Sequence, residues 1–217
     1  MESADGGLQP VYHASGETRS FGDYRPTITD EELCLHGFHL DVIETLCQPL
    51  DYTDSSSDGV KSWISQDKNE PYVATGETVE EAFLRTIVAD FYSILSEGTG
   101  HEARGFAMVW PENVNSTDEA QLERVRFAQY KLMRAYHTRR FAYTRRGCMG
   151  LVPEGALIGD SIAVLLGGQM LYVLRSNAAG EARFWLVGEP CLHRIMDGEA
   201  MKMIDSGEYT IGTIVLE

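Results

Sequence analysis

The chain has 217 residues, of which 43% are hydrophobic and 24% are charged, and its formal net charge is −15. This composition allows a sizeable core in one large domain or two small ones. The negative charge argues against a protein that holds nucleic acid through phosphate contacts. No apolar run reaches the roughly 18 residues of a membrane-spanning helix, and the polar, acidic N-terminus lacks the features of a secretory signal. We therefore expect a cytoplasmic protein with no membrane span and no nucleic-acid partner.

The four cysteines, Cys34, Cys47, Cys148 and Cys191, are far apart and form no CxxC pair. Buried or idle thiols in a reducing compartment are the simplest interpretation. Cys191 and His193 are two residues apart and would face the same way on a strand, but a zinc site needs three or four ligands. The sequence also contains no P-loop, GxSxG, HExxH or dinucleotide-binding motif. We therefore expect neither a metal nor an organic cofactor.

The first half of the chain is predicted to contain an arm, a strand and a linker. Residues 1–30 are rich in Gly, Ser, Thr and Asp, which predicts a flexible N-terminal arm. The stretch "CLHGFHLDVIETL" (34–46) alternates apolar and polar residues, which predicts a strand with a break at Gly37. The stretch "DYTDSSSDG" (51–59) is typical of a linker.

Two helices are predicted next. In "GETVEEAFLRTIVADFYSILSEG" (76–98), Thr78 and Glu81 form a capping box, and apolar residues recur at steps of three and four. A second helix is predicted from Ser116, where Glu119 provides another capping box, to about residue 137. Residues 31–138 are thus predicted to form a strand plus a helical half.

The apolar period changes to two at Arg139, which marks the start of a β half over residues 139–217. Five short strands with glycine-rich turns are predicted there. A small barrel or a strongly curled sheet would leave no exposed edges. The predicted fold class is α+β, with a helical half packed against a small curled antiparallel β-sheet or barrel in one compact unit.

Several segments occur in the order that is typical of one known family. They are "YHASG" (12–16), "LHGFHLDVIETL" (35–46), "YVATGETVEEAFLRTIVAD" (72–90), "RRFAYTRRGCMGLVPEGALIGDSIAVLLGGQMLYVLR" (139–175) and "LVGEPCLHRIMDGEAM" (186–201). Together they make residues 11–217 resemble the C-terminal region of fungal heterokaryon incompatibility (HET) domain proteins.

The resemblance does not extend to the HET domain itself, because this sequence has no match to its "SYxWG"-like stretch. It implies a fungal origin. It also implies similarity to the tail that follows a domain associated with self/non-self recognition and cell death. It supplies no catalytic residues, so any chemistry must be argued from the side chains themselves.

His193 and Glu189 are the candidate catalytic pair. A histidine near its ordinary pKa can accept or donate a proton at neutral pH. If the proline between them kinks the strand, both side chains would point into one pocket. Tyr143, Tyr172 and Trp185 are candidates to line that pocket and to bind a ligand. Such a set would suit proton transfer on an apolar small molecule. The alternative is a histidine that is merely hydrogen-bonded or on the surface.

Arg85, Glu77 and Arg175 are further candidate ligand-binding residues. For Arg175, the simplest alternative is a structural ion pair with Glu77 or Glu189 that links the two halves. Asp160 is expected to have a structural role, because an aspartate in a turn accepts hydrogen bonds from neighbouring backbone N–H groups.

Two functions of different classes remain open. The first is a recognition or ligand-binding module, whose barrel and basic residues, eight of them within 124–146, bind an unknown protein partner or an apolar small molecule. The second is a small cofactor-free isomerase, dehydratase or cyclase of fungal secondary metabolism. A deep apolar pocket beside an acid/base pair would favour the enzyme, and an exposed apolar patch would favour the module.

Overall fold

A computed structural model of the chain describes residues 14–16, 25–29, 32–49, 58–64, 67–72, 75–87, 138–177, 183–196 and 198–217. In this part of the chain the strands are β1 (Thr27–Ile28), β2 (Leu33–Leu46), β3 (Arg139–Thr144), β4 (Met149–Pro153), β5 (Ser161–Leu165), β6 (Leu171–Ser176), β7 (Arg183–Gly188), β8 (Cys191–Leu192) and β9 (Gly212–Leu216). The helices are α1 (Asp58–Lys61), α2 (Val79–Ile87) and α3 (Glu199–Asp205). None of these three helices has the length or the apolar character to traverse a bilayer.

The nine strands form one mixed sheet in which β2 is the common member. Residues 33–37 of β2 pair with β9, residues 37–42 pair with β5, and residues 43–46 pair with β3. Because β5, β6, β7 and β9 also pair in succession, these four strands and β2 close a ring. Every pairing is antiparallel except that of β7 with β9, which is parallel and only two residues long. Strands β3, β4 and β8 extend the sheet from the far end of β2.

All five strands of the ring contribute to one apolar cluster, as the interior of a closed ring requires. The cluster consists of Ala163, Leu165, Leu174, Ile214 and Leu216, with Leu33, Leu35, Tyr172 and Phe184 packed against it. Alternate residues of β5, such as Ile162 and Val164, belong to a second cluster. This second cluster also contains residues of β3, β4, β8 and α3. The ring is therefore packed on both faces.

A third cluster holds α1 and α2 against the other face of β3 and β4. It includes Trp63, Tyr72, Phe83, Phe141 and Leu151, all of which are buried. The aromatic rings of Trp63 and Phe141 stack with their centroids 5.7 Å apart. This packing fixes the start of α2 beside the edge of the sheet that β4 and β8 form.

Helix α2 begins as its sequence predicts. The Thr78 N–H donates to Glu81 Oε2 at 2.9 Å, and the Glu81 N–H donates to Thr78 Oγ1 at 3.2 Å, so the predicted capping box is confirmed. The predicted strand over residues 34–46 is confirmed as β2. Residues 88–98 of the predicted first helix lie outside the described residues, as does the whole predicted second helix with Ser116 and Glu119.

The predicted fold class is wrong. The described chain is mostly strand, in one large mixed sheet, and its three helices are short, so it is not a helical half packed on a small antiparallel sheet. The physical reason is β2, which joins strands that follow it by more than 90 residues into the same sheet. A single alternating segment in a region expected to be helical gave no sign of three distant strand partners.

Parts of residues 1–30 contact the sheet. The Ala14 N–H donates to the carbonyl of Gln169 at 3.0 Å, and Ser15 Oγ donates to the carbonyl of Gly168 at 2.6 Å. Strand β1 pairs with the first residues of β2. The flexible arm and the division of the chain into arm, helical half and β half stay predictions.

Candidate functional site

A buried histidine and a carboxylate meet between α2 and the sheet. His193 lies in the turn after β8, where its N–H donates to the carbonyl of Met149 at 2.9 Å. Its side chain has no exposed surface, and its Nε2 is 2.6 Å from Oε1 of Glu77. Glu77 lies in the turn that precedes α2. The contact therefore joins the β4–β8 edge of the sheet to the start of the helix.

The carboxylate of Glu77 has three further partners. Thr75 Oγ1 donates to Oε1 at 2.7 Å, Arg85 Nη1 is 3.1 Å from Oε2, and Arg194 Nε is 3.9 Å from Oε1. Burial raises the pKa of Glu77, but the hydrogen bonds from His193 and Thr75 and the nearby positive charges outweigh it. The pKa of Glu77 is therefore below its ordinary value, and the group is an anion at neutral pH.

The local backbone explains how Glu77 reaches the histidine. The Tyr72 N–H donates to the carbonyl of Glu77 at 2.6 Å, and Pro71 forms a β-bridge with Thr78, so the turn before α2 is closed. Arg85 lies two turns along α2 on the same side as Glu77. On the sheet side, Arg194 has φ of +64°, a left-handed conformation that is uncommon for residues other than glycine.

Two buried residues that sequence reasoning missed complete the cluster. The Tyr72 ring centroid is 5.7 Å from that of His193, and the Tyr72 hydroxyl accepts the N–H of Met149 at 2.9 Å. Burial raises the pKa of Tyr72 and of Cys148 beside it, so both are protonated at neutral pH. No periodicity or motif marks either residue, because the contact joins segments that are distant in the sequence.

The structure brings His193, Glu77 and Arg85 together, but it does not add Glu189 to them. The Glu189 side chain is exposed, and its backbone carbonyl accepts a hydrogen bond from Arg139 Nη1 at 2.6 Å. Strand β8 separates the exposed Glu189 from the buried His193. The carboxylate partner of His193 is thus Glu77, which is 116 residues away in sequence.

The three candidate aromatic residues do not line one pocket. Tyr143 is buried in the cluster under α2, and its hydroxyl donates to the carbonyl of Trp63 at 2.8 Å. Tyr172 packs against the cluster inside the ring, and burial, with a smaller effect of Glu189, raises its pKa. Trp185 is 49% exposed on β7. The three aromatic residues therefore lie in three different environments.

Arg175 pairs with Asp160, so the prediction of an ion pair with Glu77 or Glu189 is wrong. Arg175 Nε donates to Oδ1 of Asp160 at 2.9 Å, and its Nη2 donates to Oδ2 at 2.7 Å. The Leu157 N–H also donates to Oδ2, at 2.8 Å, which confirms the turn role of Asp160. This buried carboxylate ties the turn before β5 to the end of β6.

The chemical capacity of the cluster is limited by access. An imidazole in contact with a carboxylate can transfer a proton. Because the His193 side chain has no exposed surface, a substrate reaches it only if residues that cover it move. The described residues contain no group of three or more His, Cys, Asp or Glu side chains placed to hold a metal ion.

Comparison with known proteins gives one match. Residues 112–210 match the family model of the Het-6 beta-barrel domain, over slightly less than half of the chain. The matched range contains β3 to β8 and α3, and therefore includes His193, Arg175 and Trp185. No curated protein and no solved structure matches the chain. The family match links the chain to HET-family proteins and agrees with the expectation of a β-barrel.

Proposed function

We propose that the chain is a recognition module of a fungal HET-family protein, and that it binds a partner protein through one exposed apolar surface. This surface, the Trp185 face, consists of Leu157, Ile158, Arg175 and Trp185. The observation that carries the proposal is exposure: Leu157 is 53%, Ile158 is 66% and Trp185 is 49% exposed. A cytoplasmic location stays a prediction from the sequence.

The hydrogen bonds around Asp160 gather these apolar side chains. Leu157 donates its N–H to Asp160, and Ile158 follows it in the same turn. Arg175 binds the same carboxylate and lies directly opposite Trp185 in the pairing of β6 with β7. The Cβ atoms of opposite residues in an antiparallel pair are about 5 Å apart. The turn that carries Leu157 and the strand that carries Trp185 are therefore both joined to one ion pair.

The Trp185 face is also held in place before any partner binds. The guanidinium of Arg175 makes two hydrogen bonds to Asp160 and one, at 2.7 Å, to the carbonyl of Gly155. A surface whose side chains are already ordered loses less conformational entropy on binding. Trp and Arg are also the residues that most often dominate binding energy at protein interfaces.

The link to HET-family proteins supports the same function. The resemblance implies a relation to the region that follows a domain associated with self/non-self recognition. A partner that fits the Trp185 face would present apolar side chains to Leu157, Ile158 and Trp185. The formal charge of −15 would disfavour partners with a strongly acidic surface.

We expect Trp185→Ala to lower the affinity for the partner by about 30-fold or more, since truncation of a central interface tryptophan costs about 2 kcal/mol or more. Photo-crosslinking from a position next to residue 185 in living cells would identify the partner, and titration of the purified pair would give the affinity. Ile28→Ala is the matched control, because Ile28 is 78% exposed on β1, which is separated from β7 in the sheet by β9 and β2. Equal affinities for the two variants would contradict the proposal.

A second candidate function is acid/base catalysis on an apolar small molecule, as an isomerase, dehydratase or cyclase. The 2.6 Å contact between His193 and the anionic Glu77 favours it, because a carboxylate orients an imidazole and stabilises its protonated form. This second candidate predicts that a fungal metabolite extract is converted by the native protein and not by His193→Gln. Product analysis by mass spectrometry checks this. An extract left unchanged by the native protein would count against catalysis.

A further inference from the structure

Asp41 on β2 is a buried carboxylate that neither the His193 cluster nor the Trp185 face uses. The residue is 8% exposed. Its Oδ1 accepts the N–H of Val42 at 2.8 Å. Its Oδ2 is buried and has no hydrogen-bond partner within the part of the chain that the structure describes. A buried carboxylate oxygen without a hydrogen-bond donor is strongly unfavourable. We therefore expect Oδ2 to accept a hydrogen bond from a group outside the described residues.

The donors close to Asp41 already have acceptors. Arg146 and Tyr209 are near enough to feel its charge. The guanidinium of Arg146 binds the Glu208 carboxylate at 2.5 Å and the hydroxyl of Tyr209. The Tyr209 hydroxyl in turn donates to the carbonyl of Leu40 at 2.9 Å. The neighbouring side chains are therefore engaged with other acceptors.

The charges nearby indicate the chemistry of the missing donor. Asp41 and Glu208 bring two carboxylates, whereas Arg146 brings one guanidinium, so one negative charge is left over. The Glu208 side chain is 42% exposed, so this carboxylate borders the solvent, whereas Asp41 Oδ2 is buried in the interior. A divalent metal is a poor fit, because the described residues offer no cluster of three acidic, His or Cys ligands. A singly charged cation with N–H donors would satisfy both the charge and the hydrogen bond.

We propose that Asp41 and Glu208 form a binding site for a primary ammonium group, with Asp41 Oδ2 accepting one of its N–H bonds. A free amine and the side chain of a lysine both carry this group. The site is separate from the Trp185 face, so it stands or falls independently of partner binding there.

The test is an NMR titration that follows the backbone amide of Val42, because this N–H donates to the same carboxylate. The probes are methylammonium chloride and Nα-acetyl-lysine methylamide, with tetramethylammonium chloride at equal ionic strength as the control. We expect a saturable shift of the Val42 resonance with both primary ammonium probes. Tetramethylammonium has the same charge but no N–H bond, so we expect no saturable shift with it. Tighter binding of the lysine probe would indicate a polypeptide source, and tighter binding of methylammonium a free amine.

Two variants make the test specific. Asp41→Asn removes the charge but keeps an oxygen that can accept from Val42, and we expect it to weaken binding by at least tenfold. Asp205→Asn removes a charge from an exposed position on α3 and should leave the affinity unchanged. The proposal is overturned if neither primary ammonium probe gives a saturable shift, which would mean that water or a rotated Arg146 satisfies Asp41. It is also overturned if tetramethylammonium acts equally, or if Asp41→Asn binds as well as the native protein. The comparison of probes on the native protein needs no variant to fold.

Discussion

Replacement of Gly37 by alanine is expected to destabilise the protein by about 3 kcal/mol or more, because the added methyl group overlaps backbone atoms. A Cβ at Gly37 would lie 2.1 Å from the carbonyl oxygen of Val164 on β5. Backbone cannot move aside as a flexible side chain does. Gly37 is also the residue at which β2 changes partner from β9 to β5, so a shift there would disturb both pairings. Urea unfolding followed by circular dichroism measures the loss.

The chain offers a matched control for this experiment. Gly212 on β9 is the cross-strand partner of Gly37, and a Cβ there meets no atom within 4 Å. Its backbone needs no left-handed conformation, so Gly212→Ala should change the free energy of unfolding by less than about 1 kcal/mol. Similar losses of stability in the two variants would show that the overlap with Val164 is not the cause of the loss in Gly37→Ala.

Glu77→Gln is expected to lower the free energy of unfolding by about 2–3 kcal/mol at pH 7, because it removes the anion that His193 and Arg85 share in a buried place. The Glu77 side chain is only 14% exposed, so solvent screens these contacts weakly. Glu80→Gln is the control. Glu80 lies three residues after Glu77, in the first turn of α2, and its contact with Lys68 is 3.7 Å long and partly exposed, so a change below about 1 kcal/mol is expected.

The contribution of Glu77 should also depend on pH in a defined direction. Its pKa in the folded protein is lowered from the ordinary value of 4.5, so the unfolded chain takes up the proton first as the pH falls. The stabilisation is fully present above the unfolded pKa and is lost as the pH drops below 4.5 toward the folded pKa. The stabilities of the native protein and Glu77→Gln should therefore converge in acid. A constant difference between pH 7 and pH 3 would contradict this account.

Features set by neighbouring residues could be predicted from the sequence. The capping box of Thr78 and Glu81 depends on a spacing of three, and the turn role of Asp160 depends on backbone groups within three residues. The alternation of β2 and its glycine at position 37 were likewise visible, because a strand repeats every two residues whatever its partners are.

Features set by distant pairing could not be predicted in the same way. Nothing local indicates that β2 also pairs with three distant strands, β3, β5 and β9, and this omission led to the wrong fold class. The same limit applies to the site. Glu77 and His193 were both candidates, but the partner expected for His193 was the nearby Glu189, because sequence distance was the only measure of proximity. In the structure His193 is buried and Glu189 is exposed, so these two side chains do not meet.

The pairings of β2 with β3, β5 and β9 also bear on how much of the chain is needed for autonomous folding. The range that matches the Het-6 beta-barrel domain, residues 112–210, contains neither β2 nor β9. Without β2, both β3 and β5 would lose a neighbouring strand. Without β9, β7 would lack the strand that closes the ring. A fragment limited to the matched range would thus expose several unpaired strand edges, which promote aggregation. The cooperative unit therefore includes a strand encoded more than 60 residues before the matched range begins.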